Sequence, residues 1–191
     1  MKSMRSAMES RYTRVAIAMH WLMAGLIVTN LYLGWRMGFQ KGMVQFGTFQ
    51  LHKSIGITVL LLSVLRLAWR FACCPPAYPR DLTRWERLMA SAVHGIFYGL
   101  MIAMPLTGWI IVSASQLNIQ TLLFGYAPWP HLGLVHALPV AKRAMVAANT
   151  ASVHQVLAYG FAALIVLHVA AALKHQIADG DRQLNRMLPV L

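Results

Sequence analysis

Six of the eight histidines in this 191-residue chain lie within or at the edges of long apolar runs: His20, His52, His94, His154, His168 and His175. Ionisable side chains in lipid are costly, so each is a candidate functional group. The plain alternative for any one of them is a hydrogen bond to a neighbouring helix. Their spacing favours chemistry. His154 and His168 are fourteen residues apart, close to four helical turns, so both occupy one face about 21 Å apart along the axis. His175 follows seven residues later and continues the stripe. One helix therefore carries an imidazole near each membrane surface, which is half of what bis-histidine ligation of haem iron in a helical bundle needs.

The elements that position these groups are apolar runs of about twenty residues, long enough to cross ~30 Å of hydrocarbon, at about 15–35, 49–69, 88–112 and 153–173. With 58% hydrophobic and 12% charged residues, the chain has too little polar material to cover a soluble globule. The fold expected is all-α, an integral membrane four-helix bundle forming one domain over 1–191, without linker, low-complexity tract or repeat. The first run follows a basic N-terminus like a signal peptide, but it is too long and lacks a small-residue cleavage site. Segment 113–152, with Pro128, Trp129, Pro130 and Pro139, is expected to be a loop capping the outer face. A short interfacial helix is expected within 139–151. Pro105, followed by Gly108, should loosen the third helix where neighbours can take up the freed carbonyl.

The net charge of +12 invites a nucleic-acid reading, but the basic residues fall between apolar runs and not on one amphipathic face, so no nucleic-acid partner is expected. Charge here reports topology. Lys2, Arg5, Arg11, Arg14, Arg66, Arg70, Arg80, Arg84, Arg87, Lys174, Arg182 and Arg186 collect on one side, against Arg36, Lys41, Lys53, Lys142 and Arg143 on the other. The positive-inside rule puts both termini and the 70–87 loop in the cytoplasm. The acids Glu9, Asp81, Glu86, Asp179 and Asp181 fall on that side too. The outer five have no acid to cancel them, a field that would steer a small anionic donor; binding of lipid headgroups is the rival reading. Cys73 and Cys74, beside Pro75 and Pro76, fall in the cytoplasmic loop, where adjacent cysteines stay as thiols.

Following the runs in and out gives the pairing. His20 lies towards the cytoplasm at the depth of His168, and His52 towards the outside at the depth of His154. Gly56, one turn after His52, and likewise Gly25 and Gly160, would let a flat macrocycle approach a helix. Arg66 follows His52 by fourteen residues and should stand beside the cytoplasmic haem; with Arg70 it would pair with propionates, or else both snorkel to the interface. His94 is a supporting donor, a quinone contact or a substitute ligand. His131 and His136 read as surface residues of the outer loop.

Ala18-Met19-His20-Trp21, His52-Lys53-Ser54-Ile55-Gly56 and Arg66-Leu67-Ala68-Trp69-Arg70 form an ordered set with His94, Met104-Pro105-Leu106-Thr107-Gly108, His154, His168 and His175. The set resembles the bacterial cytochrome b561 proteins of the inner membrane, over about residues 11–188. The resemblance implies two b haems, held by His20/His168 and His52/His154, and electron exchange with ubiquinone. One member of that family looks like a superoxide oxidase, which implies superoxide as the outer donor, enzyme activity as a superoxide:ubiquinone oxidoreductase, and His175 at the quinone site, with His94 as a further quinone or proton contact. The 113–152 loop departs from the family, which leaves the outer donor open. A rival within electron transfer is a haem b subunit serving a partner dehydrogenase or hydrogenase; a protein redox partner and a homo-oligomer stay open. From another class, a histidine-based proton or metal-ion transporter would want intramembrane carboxylates, which the chain lacks. A zinc hydrolase would want H-E-x-x-H, also lacking.

Overall fold

The structure, a computed structural model, describes residues 11–77, 83–180 and 183–189. Lys2, Arg5, Glu9, Arg80, Asp81, Asp181 and Arg182, sided above by charge, lie outside the described residues. The elements are α1 (Arg14–Met37), α2 (Gly42–Ala72), α3 (Arg84–Ala114), strands β1 (Thr121–Leu123) and β2 (Ala127–Trp129), a single turn α4 (Gly133–His136), α5 (Val140–Ile177) and a 3-10 turn (Gln183–Arg186). The four long helices are each long and apolar enough to cross a membrane, so the chain is an all-α integral membrane bundle with a small hairpin added.

The helices overrun the apolar runs, because hydropathy sees the lipid-facing stretch while capping and propensity set the ends. Thr13 caps α1 by accepting from the Ala16 amide, and Thr83 and Glu86 form a reciprocal capping box on α3. The reversal into α2 uses a φ of +62° at Gly42, a conformation that favours glycine. The interfacial helix expected at 139–151 does not stand apart. Pro139 caps a continuous 38-residue α5, since alanine-rich 141–151 contains no glycine or proline to break it. The loop is accordingly shorter than 113–152, and it contains an antiparallel hairpin pairing Thr121 with Trp129 and Leu123 with Ala127.

The hairpin is seated on the start of α2. Ser54, wholly buried, donates from its hydroxyl to the carbonyls of Gln50 (2.8 Å) and Leu122 (3.2 Å) and accepts from the Phe124 amide (2.9 Å), while Gln50 donates to the Gln120 carbonyl (3.0 Å). At the opposite end the C-terminal turn forms a clasp: Trp21 donates to the Met187 carbonyl (2.7 Å), Arg11 to Leu188 (2.6 Å) and Arg186 to Ala77 (2.8 Å). These two ends are called the hairpin end and the clasp end below.

Between them lies the core of Met23, Ile27, Ile55, Val59, Met101 and Phe161. Pro105 interrupts the α3 ladder, and the hydroxyl of Ser63 reaches the Met101 carbonyl that the proline frees, at 3.4 Å. Close backbone packing joins α1 to α2, α2 to α3 and α3 to α5. Among the described residues α5 makes no comparable approach to α1 or α2. It stands off from them, and two couples of imidazoles span the gap.

Candidate functional site

At the hairpin end His52 of α2 faces His154 of α5, with ring centres 6.3 Å apart and planes crossed at 76°. Each ring is held from behind. His52 Nδ1 lies 3.0 Å from the Asn30 carbonyl, which can only accept, so Nδ1 carries the proton. His154 Nδ1 lies 2.8 Å from the Thr107 hydroxyl, whose own hydrogen goes to the Met104 carbonyl at 2.8 Å. In both imidazoles this leaves Nε2 with its lone pair, the state a metal ligand needs. Close backbone fixes the ring positions. A Cβ at Gly34 would stand 3.2 Å from His52 Cε1, and one at Gly108 3.4 Å from His154 Cε1.

At the clasp end His20 of α1 and His168 of α5 repeat the separation, 6.3 Å between ring centres with planes at 66°. Their neighbours are aromatic: Trp21 at 5.4 Å from His20 and Phe97 at 5.1 Å from His168. His94 of α3 also stands 6.2 Å from His168. Arg66, half-buried, donates to the Ala16 carbonyl at 3.4 Å and lies in electrostatic range of His20 and His94. The Arg70 guanidinium sits 5.6 Å over the Tyr98 ring. Arg66, Arg70, Arg11 and Tyr98 line one cleft, together with the free thiols Cys73 and Cys74.

These residues fit haem. An iron gripped between two imidazoles has each nitrogen about 2 Å away and each ring centre about 1 Å beyond, which separates the centres by about 6 Å. Both cross-bundle couples stand at 6.3 Å. Among the described residues no group of three or more His, Cys, Asp or Glu side chains is arranged to hold a metal. Two protein ligands per centre suit an iron whose remaining positions a porphyrin fills.

His175 is in the last turn of α5. Its Nδ1 is 3.1 Å from Asp179 Oδ2, which also accepts from Lys174 Nζ at 2.5 Å, and Glu86 is in electrostatic range of both. The hydrogen bond from Lys174 holds the Asp179 carboxyl below its usual range. Of the five outer cations, Lys41 and Lys142 are exposed and Arg36 folds onto its own Tyr32 (2.8 Å). Arg143 is half-buried, its guanidinium 3.4 Å from His136 Nδ1, which also lies 3.3 Å from the Ser113 carbonyl. Lys53 is not on the open surface: it is 8% exposed, its Nζ 4.6 Å over the Phe49 ring and 3.4 Å from the Gln120 carbonyl. The hairpin covers it. His131 and His136, expected as plain surface groups, are half-buried and stacked at 5.0 Å and 7°. Burial, His136 and Lys53 lower the His131 pKa.

Sequence reasoning missed Asn30, Thr107, Gly34 and Gly108 as the supports of the hairpin-end rings. Gly56, expected to admit the macrocycle, would bring a Cβ only into ordinary contact with Asn30, at 3.7 Å, and Cβ atoms at Gly25 and Gly160 would meet nothing within 4 Å. Thr107 and Gly108 sit in the Met104–Gly108 motif, where the proline drew attention to a kink and away from the ring behind it.

Four apolar helices facing one another through imidazoles mark the class, a membrane-embedded b-type cytochrome. The chain belongs to the prokaryotic cytochrome b561 family, whose model matches residues 11–190. It is similar to cytochrome b561 homolog 2 of Escherichia coli K12, 32% identical over 93% of this chain and 91% of that one. It is also similar to cytochrome b562 of Cereibacter sphaeroides (26%, over 94% and 96%) and to a probable superoxide oxidase, CybB, of Yersinia pestis (29%, over 95% and 98%). Membership makes it a multi-pass inner-membrane protein that binds haem b and serves electron transfer.

Proposed function

We propose that the protein is a superoxide:ubiquinone oxidoreductase with two b haems per chain, its hairpin end facing outward and its clasp end and termini facing the cytoplasm. Haem b, when bound, supplies the one-electron chemistry; the protein supplies position and environment. His52 and His154 would hold one group and His20 and His168 the other. The observation that carries the reading is the same 6.3 Å ring separation at both depths. The likeness to the probable superoxide oxidase of Yersinia pestis supports the donor.

The residues have distinct tasks. Asn30 and Thr107 keep the Nδ1 protons of His52 and His154, so that Nε2 stays a lone-pair donor. Arg66 and Arg70 offer guanidinium groups to propionates at the clasp end. Lys41, Lys142, Arg36 and Arg143 set a positive field at the hairpin end, to which Lys53 adds from beneath the hairpin. Two superoxide ions each give up one electron and leave as dioxygen, while ubiquinone takes two electrons and two protons. His175, ordered by Asp179 at 3.1 Å, contacts the quinone and relays protons from the cytoplasmic side, with His94 as a further relay group.

In proteoliposomes containing ubiquinone, superoxide generated outside should yield ubiquinol and dioxygen in the ratio one to two. Haem reduction by superoxide with no ubiquinol formed would reject the acceptor, and no haem reduction would reject the donor.

A further inference from the structure

At the clasp end His168 faces two imidazoles. Its ring centre is 6.3 Å from that of His20 on α1 and 6.2 Å from that of His94 on α3, with interplanar angles of 66° and 69°. His20 and His94 also lie in electrostatic range of each other. The hairpin end differs. His52 and His154 are each tied through Nδ1, to Asn30 and Thr107, and each has glycine backbone against its edge. Among the described residues neither His20 nor His168 makes a ring hydrogen bond; Trp21 and Phe97 pack against them edge-on. Such packing confines a ring without fixing one orientation. Ligation asks only that a nitrogen lone pair come within about 2 Å of the metal, and by separation His20 and His94 are equally placed opposite His168.

We propose that His94 is a spare ligand at the clasp-end haem site, which would stand in for His20 as the partner of His168, whereas the hairpin-end site has no spare. The inference rests on the bis-histidine reading above. With haem bound, the exchange would be a ligand substitution: an iron–nitrogen bond to His20 would give way to one to His94, both imidazoles would stay neutral, and no electron or proton would be transferred. α3 can supply this ligand because it packs closely along α5, which carries His168.

The test is haem content per chain and the low-spin haem signals in visible and electron paramagnetic resonance spectra of the purified full-length protein. His20→Ala should keep two haems, with the clasp-end signal shifted but low-spin, and His20→Ala/His94→Ala should keep one. His52→Ala should keep one, since nothing replaces it. In each variant the haem at the untouched end checks that the bundle has folded. Loss of one haem from His20→Ala alone, with one also lost from His168→Ala, would overturn the spare ligand and leave the pairing intact. Retention of two haems by His168→Ala, or by the double variant, would overturn the pairing itself.

Discussion

The Thr107 hydroxyl is the most specific support at either centre, and Thr107→Val removes it at nearly constant volume. The hydroxyl stands 2.8 Å from His154 Nδ1 and is anchored on the Met104 carbonyl at 2.8 Å. A hydrogen bond contributes about 1 kcal/mol net, and a buried donor left unpaired costs up to about 3 kcal/mol. The Met104 carbonyl is itself in hydrogen-bonding reach of His154 and would recover part of this, which leaves about 1–2 kcal/mol. At about 1.4 kcal/mol per decade, haem at the hairpin end should be held about 5- to 30-fold less tightly, in line with the effect of losing an outer partner of a metal-bound histidine. Transfer of haem to excess apomyoglobin gives the assay. One of the two haems should leave faster by that factor, the other at the wild-type rate, and Thr107→Ser should restore both. Equal transfer from wild type and Thr107→Val, or acceleration at both sites, would refute the assignment of Thr107 to the His154 ring.

Other outcomes follow from the same geometry. Gly34→Val places a branched side chain where a lone Cβ already comes within 3.2 Å of His52, so haem content should fall by one per chain; two retained haems would dismiss the wedge. Arg66→Gln removes a cation near His20 and should lower the clasp-end midpoint potential by on the order of tens of millivolts; an unchanged potential favours simple snorkelling. Lys142→Glu with Arg143→Glu should slow haem reduction by superoxide and flatten its dependence on ionic strength, and a salt-independent wild-type rate would dispose of steering. Asp179→Asn should slow ubiquinol formation while leaving haem reduction by superoxide unchanged; equal slowing of both steps would remove His175 and Asp179 from proton delivery.

Much of this architecture was legible in the residues, for identifiable reasons. Fourteen-residue spacing between His154 and His168 fixes their common face by helical geometry alone, and the alternating direction of successive spans sets His52 at the depth of His154 and His20 at the depth of His168. What escaped was information carried by backbone and by tertiary seating. Asn30 supports His52 through its carbonyl, which every residue has, so no side-chain type announces it. Gly34 and Gly108 matter for what they lack, and glycine in a membrane helix has many uses. The hairpin was hidden because its strands have three residues each, too short for a two-residue alternation to show. Its seat on Ser54 also explains why Lys53, read as an outward charge from its position at a span end, is covered. The extra length of α5 was missed because an alanine-rich stretch bearing Lys142 and Arg143 is a good helix former but a poor hydropathy signal.

The claim on which all else depends is that His20/His168 and His52/His154 each grip one haem iron. A reduced-minus-oxidised visible spectrum with a haem count per chain, taken on wild type, His154→Ala and His168→Ala, tests it most directly. Two low-spin b haems in the wild type, with each substitution removing a different one, is the predicted result. A colourless wild type, a single haem, or the same haem lost from both variants would contradict it.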